Sequence, residues 1–145
     1  MKILIAHHVE SMWKETLNKK GVCIYELIEK IAHFCEENQV DKIVLTRFED
    51  WDMEEIHYPF QKFNCQVKDY AYGWDMESTW NCNEETEWAE GGNHSEFVLI
   101  EDWMYDLKGN EVFLAGCFDG ECIEDMEIAL NHCEIEFKRV NSLII

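Results

Sequence analysis

The feature that most constrains what this 145-residue chain can fold into is a repeated switch of hydrophobic period. Ile3-Leu4-Ile5-Ala6 is a short continuous apolar run, the pattern of a strand buried on both faces. Ile24, Leu27, Ile28, Ile31 and Cys35 then recur at helical spacing and predict a helix over about residues 22–38. Asp41-Lys42 turns the chain into a second apolar run, Ile43-Val44-Leu45-Thr46, which completes a strand–helix–strand unit with a right-handed crossover. Val112 to Ala115 is another buried-type strand, and an amphipathic helix carrying Cys122, Met126, Ala129 and Cys133 follows it. Ile135-Glu136-Phe137-Lys138-Arg139-Val140 reads as a final strand, and residues 65–72 alternate weakly enough for one more. This order predicts a single α/β domain over residues 1–145, three layers deep, with a mainly parallel sheet. Residues 2–6, 42–46, 111–116 and 135–140 should be its parallel strands, and Cys122 should lie in the first turn of a helix over about residues 120–133.

From Gly73 to His94 the pattern fails, with Trp74, Trp80 and Trp88 scattered among Glu, Asn and Gly. A long irregular loop is predicted there, and such loops in compact domains usually serve as lids or partner surfaces. Ser95 reads as a helix N-cap, followed by Phe97, Ile100, Met104 and Leu107 at helical spacing and by Lys108-Gly109-Asn110 as the stop.

Composition narrows the class. A hydrophobic fraction of 47% with one Pro and seven Gly argues for a packed core and against disorder. No apolar run approaches the ~18 residues of a membrane span, and Ile3 to Ala6 is too short for a signal-peptide core, so a soluble cytoplasmic protein without membrane association is expected. Seven cysteines, an odd number without a CxxC pair, fit buried reduced thiols better than a disulfide scaffold or a structural zinc site. With 31 acidic against 12 basic residues the formal net charge is -19, which repels nucleic-acid phosphates and predicts no direct nucleic-acid binding. The same charge leaves open an acidic mimic of nucleic acid that occupies a basic protein partner.

Chemistry concentrates where the Val112–Ala115 strand meets the next helix. Unpaired N–H groups at a helix start carry partial positive charge and bias a thiol toward the reactive thiolate, so the position of Cys122 is useful. Gly116, Cys122, Ile123 and Ala129 stand at the spacings of the nucleophile elbow of the isochorismatase-like cysteine hydrolases, which the chain resembles. Ser95-Glu96-Phe97 is similar to that family's Ser-Ala-Phe helix, and Lys2 to Ala6 to its first strand. The resemblance is carried chiefly by residues 95–145 and implies an amidohydrolase in which an Asp takes the thiol proton, a Lys assists, the Cys attacks a carbonyl-type carbon and backbone amides hold the oxyanion. It also implies a homo-oligomer.

This chain departs from the pattern at two positions. His7, followed by His8, stands where the Asp is expected, and no Lys lies between Trp88 and Phe97. In one reading His7 is the base for Cys122 and His94 replaces the missing cation; in the other the scaffold persists without the chemistry, and the protein binds a small ligand or a protein partner. Asp119, Glu121, Glu124 and Asp125 flank Cys122 and would oppose thiolate formation unless a cation offsets them. Glu49-Asp50-Trp51-Asp52, running on to His57-Tyr58-Pro59-Phe60, is similar to the metal-binding segment of the nicotinamidase branch. Asp50, Asp52 and His57 are therefore candidate ligands for zinc, iron or manganese, although no cofactor is required by the reading. The pocket is expected at the carboxyl ends of the strands, with His8, Arg47, Trp74 and Phe118 contacting a small-molecule substrate or ligand.

Overall fold

The computed structural model describes residues 1–48, 53–70 and 85–145. Among them the chain runs β1 (Lys2–His7), a 3-10 turn (Ser11–Trp13), α1 (Lys14–Lys19), α2 (Ile24–Glu37), β2 (Lys42–Arg47), a 3-10 segment (Glu55–Phe63), β3 (Gln66–Asp69), β4 (Glu87–Glu90), β5 (Phe97–Ile100), α3 (Asp102–Tyr105), β6 (Glu111–Gly116), α4 (Cys122–His132) and β7 (Phe137–Ile144). Five strands form one sheet in the order β3-β2-β1-β6-β7, and every pairing in it is parallel. The fold is α/β with helices on both faces, as the alternating periods predict.

Strand alternation decides which residues face which layer. Leu4, Ala6, Ile43, Leu45, Phe113 and Ala115 point toward α2 and join one core with Ile28, Ile31 and Phe60. Ile3, Ile5, Val44, Val112 and Leu114 point the other way and pack against Ile123, Met126, Ala129 and Leu130 of α4. Period 2 then carries the α4-facing set on to His7 and Thr46 at the carboxyl ends of β1 and β2. Both are completely buried.

One stretch differs from expectation. The predicted helix from Ser95 to Leu107 is instead a strand, β5, followed by the single helical turn α3. Its partner β4 lies at the end of the predicted loop, and the two pair antiparallel with Glu87 opposite Ile100 and Glu90 opposite Phe97. Val98, Leu99 and Ile100 are all buried in sequence, which a strand covered on both sides allows and an amphipathic helix does not. The final strand also begins two residues later than expected and continues to Ile144.

Candidate functional site

The carboxyl ends of β1 and β6 are brought together by a glycine. Gly116 pairs with His7 at φ 118°, and a Cβ there would meet the His7 carbonyl oxygen at 2.1 Å. Only glycine permits that approach. The Cys117 amide donates to the same oxygen at 2.9 Å, and the chain then turns through a cis Cys117–Phe118 peptide into α4. Amides in this corner are committed locally: Glu121 and Ile123 donate to the Phe118 carbonyl, and Asp119 donates to that of Ile145. Cys122 is the first residue of α4 and is 5% exposed, as the strand-to-helix reading placed it.

His7 sits on the α4-facing side. Its Nδ1 is 2.6 Å from Thr46 Oγ1, and that hydroxyl donates in turn to the Ala6 carbonyl. The other ring nitrogen, Nε2, is fully buried, and the ring also lies against the Cys122 backbone. Burial drives the ring well below the ordinary imidazole range, His8 adds to the effect, and a weaker contribution from the Cys122 backbone opposes it. His7 is therefore neutral at physiological pH. Edge contacts with His8 at 4.0 Å and Tyr70 at 5.7 Å fix the ring further, and the Tyr70 hydroxyl donates to the Leu99 carbonyl of β5.

A second arrangement meets α4 from the other side. The loop between β4 and β5 is fastened to the first turn of α4 by Glu124, whose Oε1 accepts from the amides of Asn93 at 2.7 Å and His94 at 3.0 Å. Gly92 makes room, since a Cβ there would stand 2.6 Å from that same oxygen. His94 Nδ1 lies 2.9 Å from Asp125 Oδ2, and the Ser95 hydroxyl donates to the same oxygen at 2.8 Å. Asp125 is 2% exposed and its Oδ1 has no hydrogen-bond partner. Burial raises its carboxyl above the usual range, while the bonds from His94 and Ser95 pull it back down. From sequence Asp125 reads only as one of the acids that oppose a thiolate at Cys122, because its partner His94 stands 31 residues away.

Just beyond β1 lies a third polar group. His8 adopts φ 52° and is completely buried, with Nδ1 3.3 Å from Glu10 Oε1. That spacing would suit an ion pair, yet burial pushes His8 down to about 3 and Glu10 up to about 8. The contact is accordingly between neutral groups at pH 7, because two desolvated charges cost more than their attraction returns. His94 is close enough to His8 to disfavour its protonation, so the histidines form one connected set.

Other expected site residues fall elsewhere. Arg47 pairs with Asp69 through Nε at 2.8 Å across β2 and β3. Phe118 turns into the α2-side core, edge-on to Trp13 at 5.6 Å, and does not face the thiol's crevice; the sheet separates the two sides. His57 is buried with Nε2 2.9 Å from the Val9 carbonyl, which occupies that nitrogen, and burial lowers its basicity. Its expected co-ligands Asp50 and Asp52, like Trp74, lie outside the described residues. Among the described residues no group of three His, Cys, Asp or Glu side chains is placed to hold a metal ion. A surface groove of about 1240 Å³ lies at the opposite, amino ends of β6 and β7, against Asn110, Glu111, Ile135 and Phe137, far from these histidines.

The class these features define is a parallel α/β domain with a buried thiol, three histidines and a carboxylate converging on the strand ends. Compared with known proteins, the chain matches no family model, no curated protein and no solved structure. No helix among the described residues is long and apolar enough to cross a membrane.

Proposed function

We propose that the protein is a cysteine-dependent hydrolase of a small amide-type substrate, with Cys122 as nucleophile. The observation that carries the reading is the placement of Cys122 at the start of α4 beside the neutral, fully buried His7 ring, with a second imidazole, His94, bonded to Asp125 of the same helical turn. In the reaction the Cys122 S–H proton passes to an imidazole of the crevice and the sulfur attacks the carbonyl carbon. The C–N bond then breaks as the nitrogen takes that proton, leaving a thioester that water hydrolyses to the acid and the free thiol. The cytoplasm, where thiols stay reduced, suits this chemistry, and self-association is part of the proposal by resemblance. The proposed route requires no metal.

Ammonia release from a panel of small primary amides, with Cys122→Ala as control, tests the reading. Release by the native protein and none by the variant supports it. Equal release by native protein and variant sinks it in favour of a ligand-binding protein. A ligand-dependent rise in Tm would then identify what is bound.

A further inference from the structure

Three imidazoles stand at the strand ends, and they differ in what supports them once protonated. His7 is completely buried, and its Nδ1 partner is the uncharged Thr46 hydroxyl. Its cation would be desolvated without compensation. His8 is completely buried as well, and its carboxylate neighbour Glu10 is itself held neutral by burial. His94 alone of the three is partly solvated, with 21% of its side chain exposed, and has Asp125 Oδ2 2.9 Å from Nδ1. The carboxylate is fixed by a second donor, Ser95 Oγ at 2.8 Å, and the loop carrying His94 is fastened to α4 by the hydrogen bonds that the Asn93 and His94 amides donate to Glu124.

Position on the helix links this pair to the thiol. Cys122 and Asp125 are three residues apart at the start of α4, so their side chains leave the same face. His94 is tied to that face through its bond to Asp125. With Nδ1–H donated to the carboxylate, the lone pair of the neutral ring is on Nε2, the nitrogen turned away from Asp125.

Resting on the hydrolase reading, we infer that His94 is the proton acceptor for Cys122 and that Asp125 is its positioning residue, while His7 serves to shape the crevice. The Cys122 S–H bond breaks, its electron pair stays on sulfur, and the proton bonds to His94 Nε2. The resulting imidazolium is stabilised by the Asp125 carboxylate, and the proton is later returned to the leaving nitrogen. Titratable groups that interact with Cys122 are Tyr70 after β3, Cys117 from the corner and, at its backbone, His7 from β1; Glu124 and Asp125 share the first turn of its helix just after Glu121, and His94 reaches that turn through its bond to Asp125. Asp125 has two opposed effects among them. As a nearby anion it repels the thiolate; as the partner of His94 it favours the imidazolium that thiolate formation creates. His94 acts as the base only where the second effect wins.

The test is the second-order rate of Cys122 alkylation by iodoacetamide, read by peptide mass spectrometry from about pH 5 to 9 on the full chain, with exposed Cys23 as an internal reference. Asp125→Asn keeps size and an acceptor oxygen but removes the charge. It should slow alkylation of Cys122 at pH 7 at least about tenfold and move the pH midpoint upward. His94→Gln, at a partly exposed loop position that should not unfold the protein, should do the same, and it carries the test if the Asn variant fails to fold. A native Cys122 no more reactive than Cys23 overturns the nucleophile reading and the inference with it. A reactive Cys122 whose rate is unchanged or raised by Asp125→Asn, or unchanged by His94→Gln, overturns the inference alone.

Discussion

Single positions carry opposite kinds of constraint in this protein. Gly116 is a constraint of space: with φ at 118° and the His7 carbonyl oxygen 2.1 Å from where a Cβ would be, Gly116→Ala must pull β6 away from β1. The expected cost is about 2 kcal/mol or more, read as a lower urea midpoint. Glu10 is a constraint of charge. Its carboxyl rises from an ordinary 4.5 to about 8, chiefly through burial, so the folded state holds the proton longer than the unfolded one. Its contribution is fully present below about 4.5 and is lost as pH climbs toward about 8. His8 works in the opposite sense, since its lowered value of about 3 gives a contribution present above 6.5 and lost as pH falls. Glu10→Gln should therefore gain stability relative to the native protein as pH rises from about 5 to 8, whereas a difference that stays flat across that window would show an ordinary, solvated carboxyl.

At the level of elements, the β4–β5 hairpin and α4 act as one unit. Glu124 accepts two loop amides, and Gly92 leaves room for its carboxylate. Glu124→Ala should release the loop without disturbing the sheet. Faster hydrogen exchange at the Asn93 and His94 amides, with β1 and β6 protection unchanged, is the expected outcome. The hairpin is also where the sequence misleads. Phe97, Ile100, Met104 and Leu107 have helical spacing because a buried strand runs straight into one helical turn, and the two periods together imitate a longer helix. Ser95, with the sequence signature of an N-cap, commits its hydroxyl to Asp125, 30 residues away. Propensity at a short segment yields to such tertiary partners.

Over the whole molecule the strongest long-range influence is a formal net charge of -19. Self-repulsion at that density weakens the compact state, and salt screens it. Raising ionic strength from about 0.01 M to about 0.15 M should lift Tm by several degrees at pH 7, and a Tm indifferent to salt would mean that the charges are already locally paired. The apolar runs at Ile3–Ala6, Ile43–Leu45 and Val112–Ala115, with the helical spacings between them, determined a parallel α/β sheet and put Cys122 at the head of a helix. Those are local patterns, and burial on two faces leaves them little alternative. Which imidazole meets which carboxylate was a different kind of fact. His94 and Asp125 are 31 residues apart, and His7 and Thr46 are 39 apart. Only the packing of the hairpin on α4 and the register of β1 against β2 joined them, because side-chain partners across such separations are set by strand order and layer contacts that leave no periodic trace in the chain.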